Sequence, residues 1–175
     1  NNEIYQSTLS FPTQFDFNVY VEAWEASSFG TALLNSLMIA VISVFLIVFF
    51  SSLAAYVFAM MDFRFKNALY LFILAGQIIS AQIILIPLFS LFKSMSLLNN
   101  QWSAIFAYTA VGIPLSMLLL RNSFQEVPKD IYESAKIDGC NSFHFYLRFM
   151  LPLSKPGLAT VIIYQALFAW NEYIF

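Results

Sequence analysis

The sequence predicts an all-α protein, a polytopic transmembrane helical bundle. Of its 175 residues, 60% are hydrophobic and only 10% are charged, whereas soluble domains carry about 45–50% apolar and about 25% charged residues. Several charge-free stretches reach the roughly 20 residues that a helix needs to cross a hydrocarbon core of about 30 Å. Apolar runs such as residues 41–50 do not alternate with polar residues, which excludes a membrane β-barrel.

The composition also argues against several other classes of protein. The formal net charge is -2, so no strong positive field points to a nucleic-acid partner. The single cysteine, Cys140, cannot form an intramolecular disulfide. His144 is the only histidine, and a metal site would need further ligands beside it. We therefore predict no nucleic-acid partner, no metal site and no catalytic residues.

Four membrane spans are expected within a transmembrane domain of residues 31–175, at about 33–61, 68–92, 102–120 and 156–175. Each is a nearly charge-free stretch, and a backbone in lipid must satisfy its own hydrogen bonds, so each span is a helix. Pro87 in the second span and Pro114 in the third each predict a bend, because proline removes a backbone hydrogen bond. The charges that bound these stretches are Glu25, Asp62, Lys66, Lys93, Arg121 and Lys155.

The distribution of lysine and arginine predicts the orientation of the spans. All but Lys93 of the eight cations fall on one side of the predicted bundle, and the positive-inside rule makes that side cytoplasmic. The loop 122–155 is then cytoplasmic and residues 1–30 are external. Trp102 is expected at the outer interface. Residues 1–30 contain six aromatic residues besides Tyr5 and no cation, so we expect this segment to pack on the outer face of the bundle.

Both ends of the sequence are expected to be truncated. The sequence begins at Asn1 without an initiator methionine, and it stops at Phe175 inside an apolar run. We therefore interpret the chain as part of a longer protein.

Five amide side chains lie in the predicted spans and need hydrogen-bond partners there. Such groups either bond a neighbouring helix or line a polar pathway through the bundle, and the sequence leaves both roles open. The candidates for a pathway are Gln77, Gln82, Asn35, Gln165 and Asn171. Small residues at helical spacing, such as Gly112 and Ser116, predict close helix packing.

The loop 122–155 is predicted to contain two short helices. Pro128 suits the first turn of a helix. Asp130 and Glu133 favour the positive N-terminal end of the helix dipole, and the Glu133 carboxylate is expected in the first turn. Gly139 is expected to end the helix in the left-handed conformation. Asn141 or Ser142 then caps a second helix, which ends near residue 152. A mere connector needs only a few residues, so this loop of about 30 residues indicates a docking surface.

The same loop resembles the EAA loop of ABC importer permeases. Ser134 stands where that family usually has alanine, and Phe149 where it often has isoleucine. The matching residues are Glu133-Ser134-Ala135, Asp138-Gly139 and Leu151-Pro152. Other segments resemble the sugar-uptake branch of the family, including Arg121-Asn122-Ser123-Phe124 and Trp170-Asn171-Glu172. The resemblance covers about residues 30–175.

The resemblance implies a type I ABC importer permease fold in which the loop forms a coupling helix for an ATPase. The chain would be a transmembrane permease subunit that forms half of the translocation pathway for a solute of the carbohydrate class. The residues expected to couple to the ATPase are Glu133, Ser134, Ala135, Asp138, Gly139, Leu151 and Pro152.

The resemblance also implies partners and a location. The partners are a cytoplasmic ABC ATPase dimer that binds ATP-Mg, a second permease subunit in a heterodimer, an external solute-binding protein, a sugar and membrane lipid. The location is the inner membrane of a prokaryotic cell. The chain has no Gly-x-x-x-x-Gly-Lys phosphate loop, so we expect it to bind no cofactor itself and not to be an enzyme.

Two alternative functions are open at this point. A secondary transporter would carry ionisable residues at mid-bilayer, which the first three predicted spans lack. A channel or structural membrane subunit would have no obvious use for a docking loop of this size.

Overall fold

The computed structural model describes Trp24 and residues 28–172. Every regular element in this part of the chain is helical, so the predicted all-α fold class is confirmed. The expectation that residues 1–30 pack on an outer face falls almost wholly outside the described residues.

The helices follow one another with short connections. They are α1 (Phe29–Met60), α2 (Lys66–Ala75), α3 (Ala81–Ser94), α4 (Gln101–Gln125), α5 (Lys129–Ile137), α6 (Ser142–Phe145), α7 (Leu151–Leu153) and α8 (Lys155–Asn171). A 3₁₀ turn over Gly76–Ile78 extends α2, and a π turn over Tyr146–Met150 joins α6 to α7.

The chain divides into two compact units, residues 1–35 and residues 36–175. In the first unit, the rings of Trp24 and Phe29 lie 4.7 Å apart, and the Thr31 hydroxyl donates to the Ser28 carbonyl at 2.7 Å. The second unit contains the rest of α1 and all the later helices.

In the described part of the chain, two helices are long and apolar enough to cross a membrane, namely α1 with 32 residues and α4 with 25. They correspond to the predicted spans 33–61 and 102–120, although α4 continues four residues into the predicted loop, to Gln125. Helix α8 has 17 residues and is about 25 Å long. Residues 173–175 of the predicted fourth span lie outside the described part of the chain.

The span predicted over 68–92 is broken by a bend that the sequence did not predict. Two helical segments, 66–78 and 82–94, meet there at a bend of 100° and make one span only if they are counted together. The bend lies at Ile79 and Ser80, whose backbones are extended, and not at Pro87, which lies inside α3. Serine is favoured in the extended conformation just before a helix, and Ser80 takes that position at the start of α3.

Close contact between α4 and α8 depends on residues without bulky side chains. A β-carbon at Gly157 would lie 2.6 Å from the Ser123 β-carbon. A β-carbon at Gly112 would lie 2.6 Å from Ile47 Cδ1 and 3.0 Å from Gln165 Oε1. Glycine therefore allows these helices to approach more closely than any other residue would.

We predict that Gly157→Ala destabilises the packing of α8 on α4 by about 1–3 kcal/mol, because the added methyl group overpacks the contact with Ser123. Ser123→Gly should restore much of the loss in the double variant. The measurement is thermal unfolding of the purified protein in detergent. Gly76→Ala is the control, since its β-carbon would meet only Pro114 Cγ, at 3.8 Å; equal effects of the two alanine substitutions would contradict the packing explanation.

Candidate functional site

Helix α5 presents one face to the protein and another to the outside. Ala135 is buried, and the Tyr132 ring lies 4.9 Å from the Phe145 ring. Glu133 and Ser134 are exposed, and Ile137 is 86% exposed. The outer face of α5 thus presents a carboxylate, a hydroxyl and an apolar side chain beside one another.

Gly139 ends α5 in the left-handed conformation, as predicted. Its φ is +80°, and a β-carbon there would meet nothing within 4 Å. The amide of Cys140 donates to the Ala135 carbonyl at 2.9 Å, and the Gly139 amide donates to the Lys136 carbonyl at 3.0 Å. These two bonds form a Schellman motif. Backbone conformation, and not lack of space, is therefore what favours glycine here.

Asn141 caps the next helix, which confirms one of the two predicted caps. Its Oδ1 atom accepts a hydrogen bond from the His144 amide at 2.7 Å. The second loop helix is not one regular helix to residue 152, however. It runs as α6, the π turn over 146–150 and α7, and the helix is interrupted at Ser154, whose φ and ψ are −98° and 22°.

The expected position of Glu133 in the first turn of α5 is wrong. Glu133 is the fifth of the nine residues of α5, and Asp130 is the acidic residue in the first turn. The helix dipole acts mainly within the first turn, so it favours Asp130 more than Glu133. What Glu133 offers is an exposed carboxylate in the middle of the helix.

A cleft of about 810 Å³ lies beside the exposed face of α5, between this helix and the segment joining α1 to α2. The Lys66 ammonium lies 3.0 Å from Asp62 Oδ1, and this hydrogen bond and charge lower the pKa of Asp62. The Lys136 ammonium lies 4.6 Å from the centre of the Tyr132 ring. Three charged side chains of the cleft thus interact with a neighbouring side chain: Asp62 with Lys66, and Lys136 with the Tyr132 ring. The charged residues that line it are Asp62, Lys66, Lys129, Glu133 and Lys136.

The loop is anchored in a buried apolar cluster that includes α1, α4 and α8. Two hydrogen bonds join the loop to α1: the Tyr56 hydroxyl donates to the Ser142 carbonyl at 2.9 Å, and the Ser52 and Tyr146 hydroxyl oxygens lie 2.7 Å apart. The buried members of the cluster are Ala55, Tyr56, Phe58, Met117, Leu120, Phe124, Val127, Ala135, Phe145, Tyr146, Met150 and Val161. Docking on the outside of the loop would therefore act on a surface that is packed against the spans.

The residues predicted to couple to an ATPase divide into two groups in the structure. Those on the outside are Glu133, Ser134, Asp138, Gly139 and Pro152, which are all exposed. Ala135 belongs to the buried cluster, and Leu151 packs against it. The inward group can position the loop, and the outward group can meet a partner.

Gln165 is the predicted pathway residue with a clear packing role. Its side chain is 1% exposed. Its Nε2 atom lies 2.8 Å from Ser116 Oγ and 3.2 Å from the Gly112 carbonyl. The amide thus joins α8 to Gly112 and Ser116 of α4, as expected for an interhelical hydrogen bond, one of the two roles that the sequence left open.

The other predicted pathway amides have different surroundings. Gln77 Nε2 donates to the Val111 carbonyl of α4 at 3.4 Å. Val111 precedes Gly112, whose carbonyl Gln165 contacts. Gln82 accepts a hydrogen bond from Ser80, and Asn171 donates to Leu167 in its own helix. Asn35 is exposed in the first unit. A pathway role for these five amides stays a prediction.

Arg121 joins three helices, although the sequence indicated only its charge and its place in a motif. Its Nε donates to the Phe58 carbonyl of α1 at 3.4 Å, and its guanidinium lies 4.4 Å from the centre of the Tyr70 ring of α2. Neither Ser52 nor Tyr146 was singled out by the sequence. Each is an ordinary residue in an apolar segment, and only the fold brings them together.

The comparison with known families agrees with the features of this site. Residues 47–175 match the family described as "Binding-protein-dependent transport system inner membrane component". The chain belongs to this family. The resemblance read from the EAA-type loop is therefore confirmed at the level of the family.

Individual relatives are similar over nearly the whole chain. The chain is 33% identical over 172 residues to the diacetylchitobiose uptake system permease protein NgcG of Streptomyces coelicolor, covering 98% of the chain and 57% of that protein. It is 32% identical over 172 residues to the melibiose/raffinose/stachyose import permease protein MelC of Bacillus subtilis, covering 98% of the chain and 62% of that protein. The chain thus spans about three fifths of the length of these relatives.

A solved structure supports the same fold. The chain superposes with a TM-score of 0.83 and 25% identity on a chain from the crystal structure of a bacterial ABC transporter involved in the import of the acidic polysaccharide alginate, covering 95% of this chain and 59% of that one. The predicted importer permease fold is confirmed.

We predict that Gly139→Val weakens the end of α5, while Gly139→Asn is tolerated. Valine is strongly disfavoured at positive φ, whereas asparagine visits this region more readily, so valine should cost about 1–2 kcal/mol more. The measurement is hydrogen exchange of the backbone amides at positions 139 and 140, which make the two closing bonds. Equal protection of Cys140 in the two variants would contradict this account.

Proposed function

We propose that this chain is a permease subunit of an ATP-driven ABC importer and forms half of the translocation pathway for a carbohydrate. The observation that carries the proposal is the loop helix α5, whose exposed face holds Glu133, Ser134 and Ile137 while Ala135 fixes it to the buried cluster. Family membership supports the importer role, and the sugars in the names of NgcG and MelC support the substrate class.

In this proposal the chemistry of ATP belongs to a partner. ATP-Mg binds to a cytoplasmic ATPase dimer, and closure of that dimer moves the loops of two permease subunits towards each other. Because the loop packs against α1 and α4 through the buried cluster, its displacement changes the packing of the spans. The absence of a phosphate loop in the sequence supports a chain that does not hydrolyse ATP by itself.

The proposal includes an orientation and further partners. The loop 122–155 lies in the cytoplasm and residues 1–30 lie outside a prokaryotic inner membrane, as the distribution of lysine and arginine indicates. An external solute-binding protein delivers the sugar, and a second permease subunit completes the pathway in a heterodimer.

We predict that the loop 122–155 faces the cytoplasm and that the turn before α4 faces outward. In a Cys140→Ser background, Lys129→Cys should react with a membrane-impermeant thiol reagent only after the cells are opened. Gln101→Cys, in the turn before α4, should react in intact cells. The measurement is labelling of the full-length protein in its membrane. Reaction of Lys129→Cys in intact cells at the rate of Gln101→Cys would reverse the topology.

We predict that Glu133→Gln weakens binding of the ATPase in the assembled transporter. The substitution keeps the shape of the side chain but removes its charge, and a hydrogen bond to a charged group is worth about 1.5–3 kcal/mol. This corresponds to a roughly 10- to 150-fold rise in Kd, measured by titrating the ATPase subunit onto the permease in nanodiscs.

Glu126→Gln is the matched control for this experiment. Glu126 is also an exposed carboxylate in the same loop, but it lies directly after α4, outside the motif. If both glutamine variants bind the ATPase with wild-type affinity, the outer face of α5 is not its docking surface.

A further inference from the structure

The contact between Ser52 of α1 and Tyr146 of the loop is deeply buried. The two residues are 2% and 4% exposed, and their hydroxyl oxygens lie 2.7 Å apart. Ser52 Oγ also lies 3.0 Å from the Phe49 carbonyl. A serine has one hydroxyl proton, so both contacts are satisfied when Ser52 donates to Phe49 and Tyr146 donates to Ser52.

Tyr146 is suited to the role of donor. Burial raises the pKa of its hydroxyl above the ordinary value, so the group keeps its proton at neutral pH. A buried hydroxyl without a partner would be costly, and the Tyr146 hydroxyl has Ser52 as its partner on the neighbouring helix.

A second contact joins the loop to the same face of α1, one helical turn further along. The Tyr56 hydroxyl donates to the Ser142 carbonyl at 2.9 Å, and the rings of Tyr56 and Tyr146 lie 5.2 Å apart. Ser142 begins α6 and Tyr146 follows its last residue. Helix α6 is therefore fixed to α1 at both of its ends.

These contacts matter because the chain itself does not connect the loop to α1. The loop follows α4 directly and leads directly into α8, so a displacement of the loop reaches those two helices through the backbone. Helix α1 ends at Met60, and α2 to α4 lie between it and the loop in the sequence. Only side-chain packing and hydrogen bonds can carry the displacement to α1.

Tyr146 also stands at a break in helical geometry. It is the first residue of the π turn, and Met150, which is fully buried, is the last. Short π turns inside helices occur frequently at functional sites. Here the turn separates α6, which is held by α1, from the segment that continues into α8.

We propose that Tyr146 is a positioning residue whose hydrogen bond to Ser52, with that of Tyr56 beside it, makes α1 move with the coupling loop. The proposal rests on the proposed function, because it requires an ATPase that displaces the loop. It assigns the transmission to particular side-chain contacts and not to the docking face of α5.

The test follows the distance between the loop and α1 in the complete transporter. Spin labels are placed at His144→Cys in α6 and Phe50→Cys in α1, both exposed positions, in a Cys140→Ser background. The full-length permease with its partner subunits is held in nanodiscs, and the distance is measured without nucleotide and after trapping with ATP-Mg and vanadate. In the protein with Ser52 and Tyr146 intact, the distance should be the same in both states.

Tyr146→Phe should separate the two labels in the trapped state, with Ser52→Ala giving the same result. The separated population should rise about 2- to 10-fold, the factor that one neutral hydrogen bond is worth. The separated population in the double variant should be no larger than in either single variant, because each substitution removes the same hydrogen bond. Tyr146→Phe keeps the aromatic ring, so this variant alone tests the proposal if the transporter with Ser52→Ala does not assemble.

Ser51→Ala is the matched control. Ser51 is as buried as Ser52, but its hydroxyl donates to the Val48 carbonyl of its own helix at 3.4 Å. In this variant the distance between the labels should be the same in both states, as in the protein with Ser52 and Tyr146 intact. A change in Ser51→Ala as large as in Ser52→Ala would overturn the proposal, because the effect would then belong to any buried serine.

Two further results would overturn the proposal. One is a distance that already changes on trapping when Ser52 and Tyr146 are intact, and the other is a distance that stays constant in Tyr146→Phe. A purely structural role would lower the yield of the complex but leave the distance unchanged, which also counts against it. If the ATPase subunit does not bind the unsubstituted permease at all, the proposed function itself is wrong, and that result is seen before any trapping.

Discussion

The contact between α4 and α8 is the constraint on which the geometry of the loop depends. The loop begins where α4 ends and finishes where α8 begins, so the distance between these helices sets the distance between the two ends of the loop. Gly157 allows α8 to lie against Ser123, and Gln165 bonds to Gly112 and Ser116 further along. Small residues and one buried amide thus determine how far apart the loop ends lie.

The loop has a buried inner side and an exposed outer side. Its inner residues, such as Ala135 and Phe145, belong to the same buried cluster as α1 and α4. Its outer residues include Ile137 and Phe143, which are 86% and 61% exposed. A force applied to the outer face would therefore act directly on a close-packed core, and close-packed cores transmit displacement because they have little room to deform.

Much of this fold could be predicted because the signals are local. Long apolar stretches indicated the helices, Gly139 indicated a left-handed helix end, and Asn141 indicated a cap. Each depends on a few neighbouring residues. The bend at Ser80 was missed, because Pro87 was the stronger breaker nearby and the sequence does not show where a helix meets α4. Glu133 was placed in the first turn, but it is the fifth residue of α5, beyond that turn.

The tertiary contacts of the site could not be predicted for a different reason. Ser52 and Tyr146 are 94 residues apart in the sequence, and nothing in either segment indicates the other. The residues predicted to couple to an ATPase are recognisable as a pattern. The division of that pattern into an inward and an outward group depends on the face that α5 turns towards the cluster. Resemblance identified the loop, and packing explains how the loop is held.

Arg121 has a consequence for the depth of the chain in a bilayer. Its guanidinium group contacts the Phe58 carbonyl and the Tyr70 ring, and its side chain is partly exposed. Trp102, whose ring packs on Phe106 at 5.9 Å, lies at the other end of α4. The two residues are about 28 Å apart along the helix, close to the hydrocarbon thickness of about 30 Å. In a bilayer, the aromatic ring and the charge would mark the two boundaries of α4 and so define its depth.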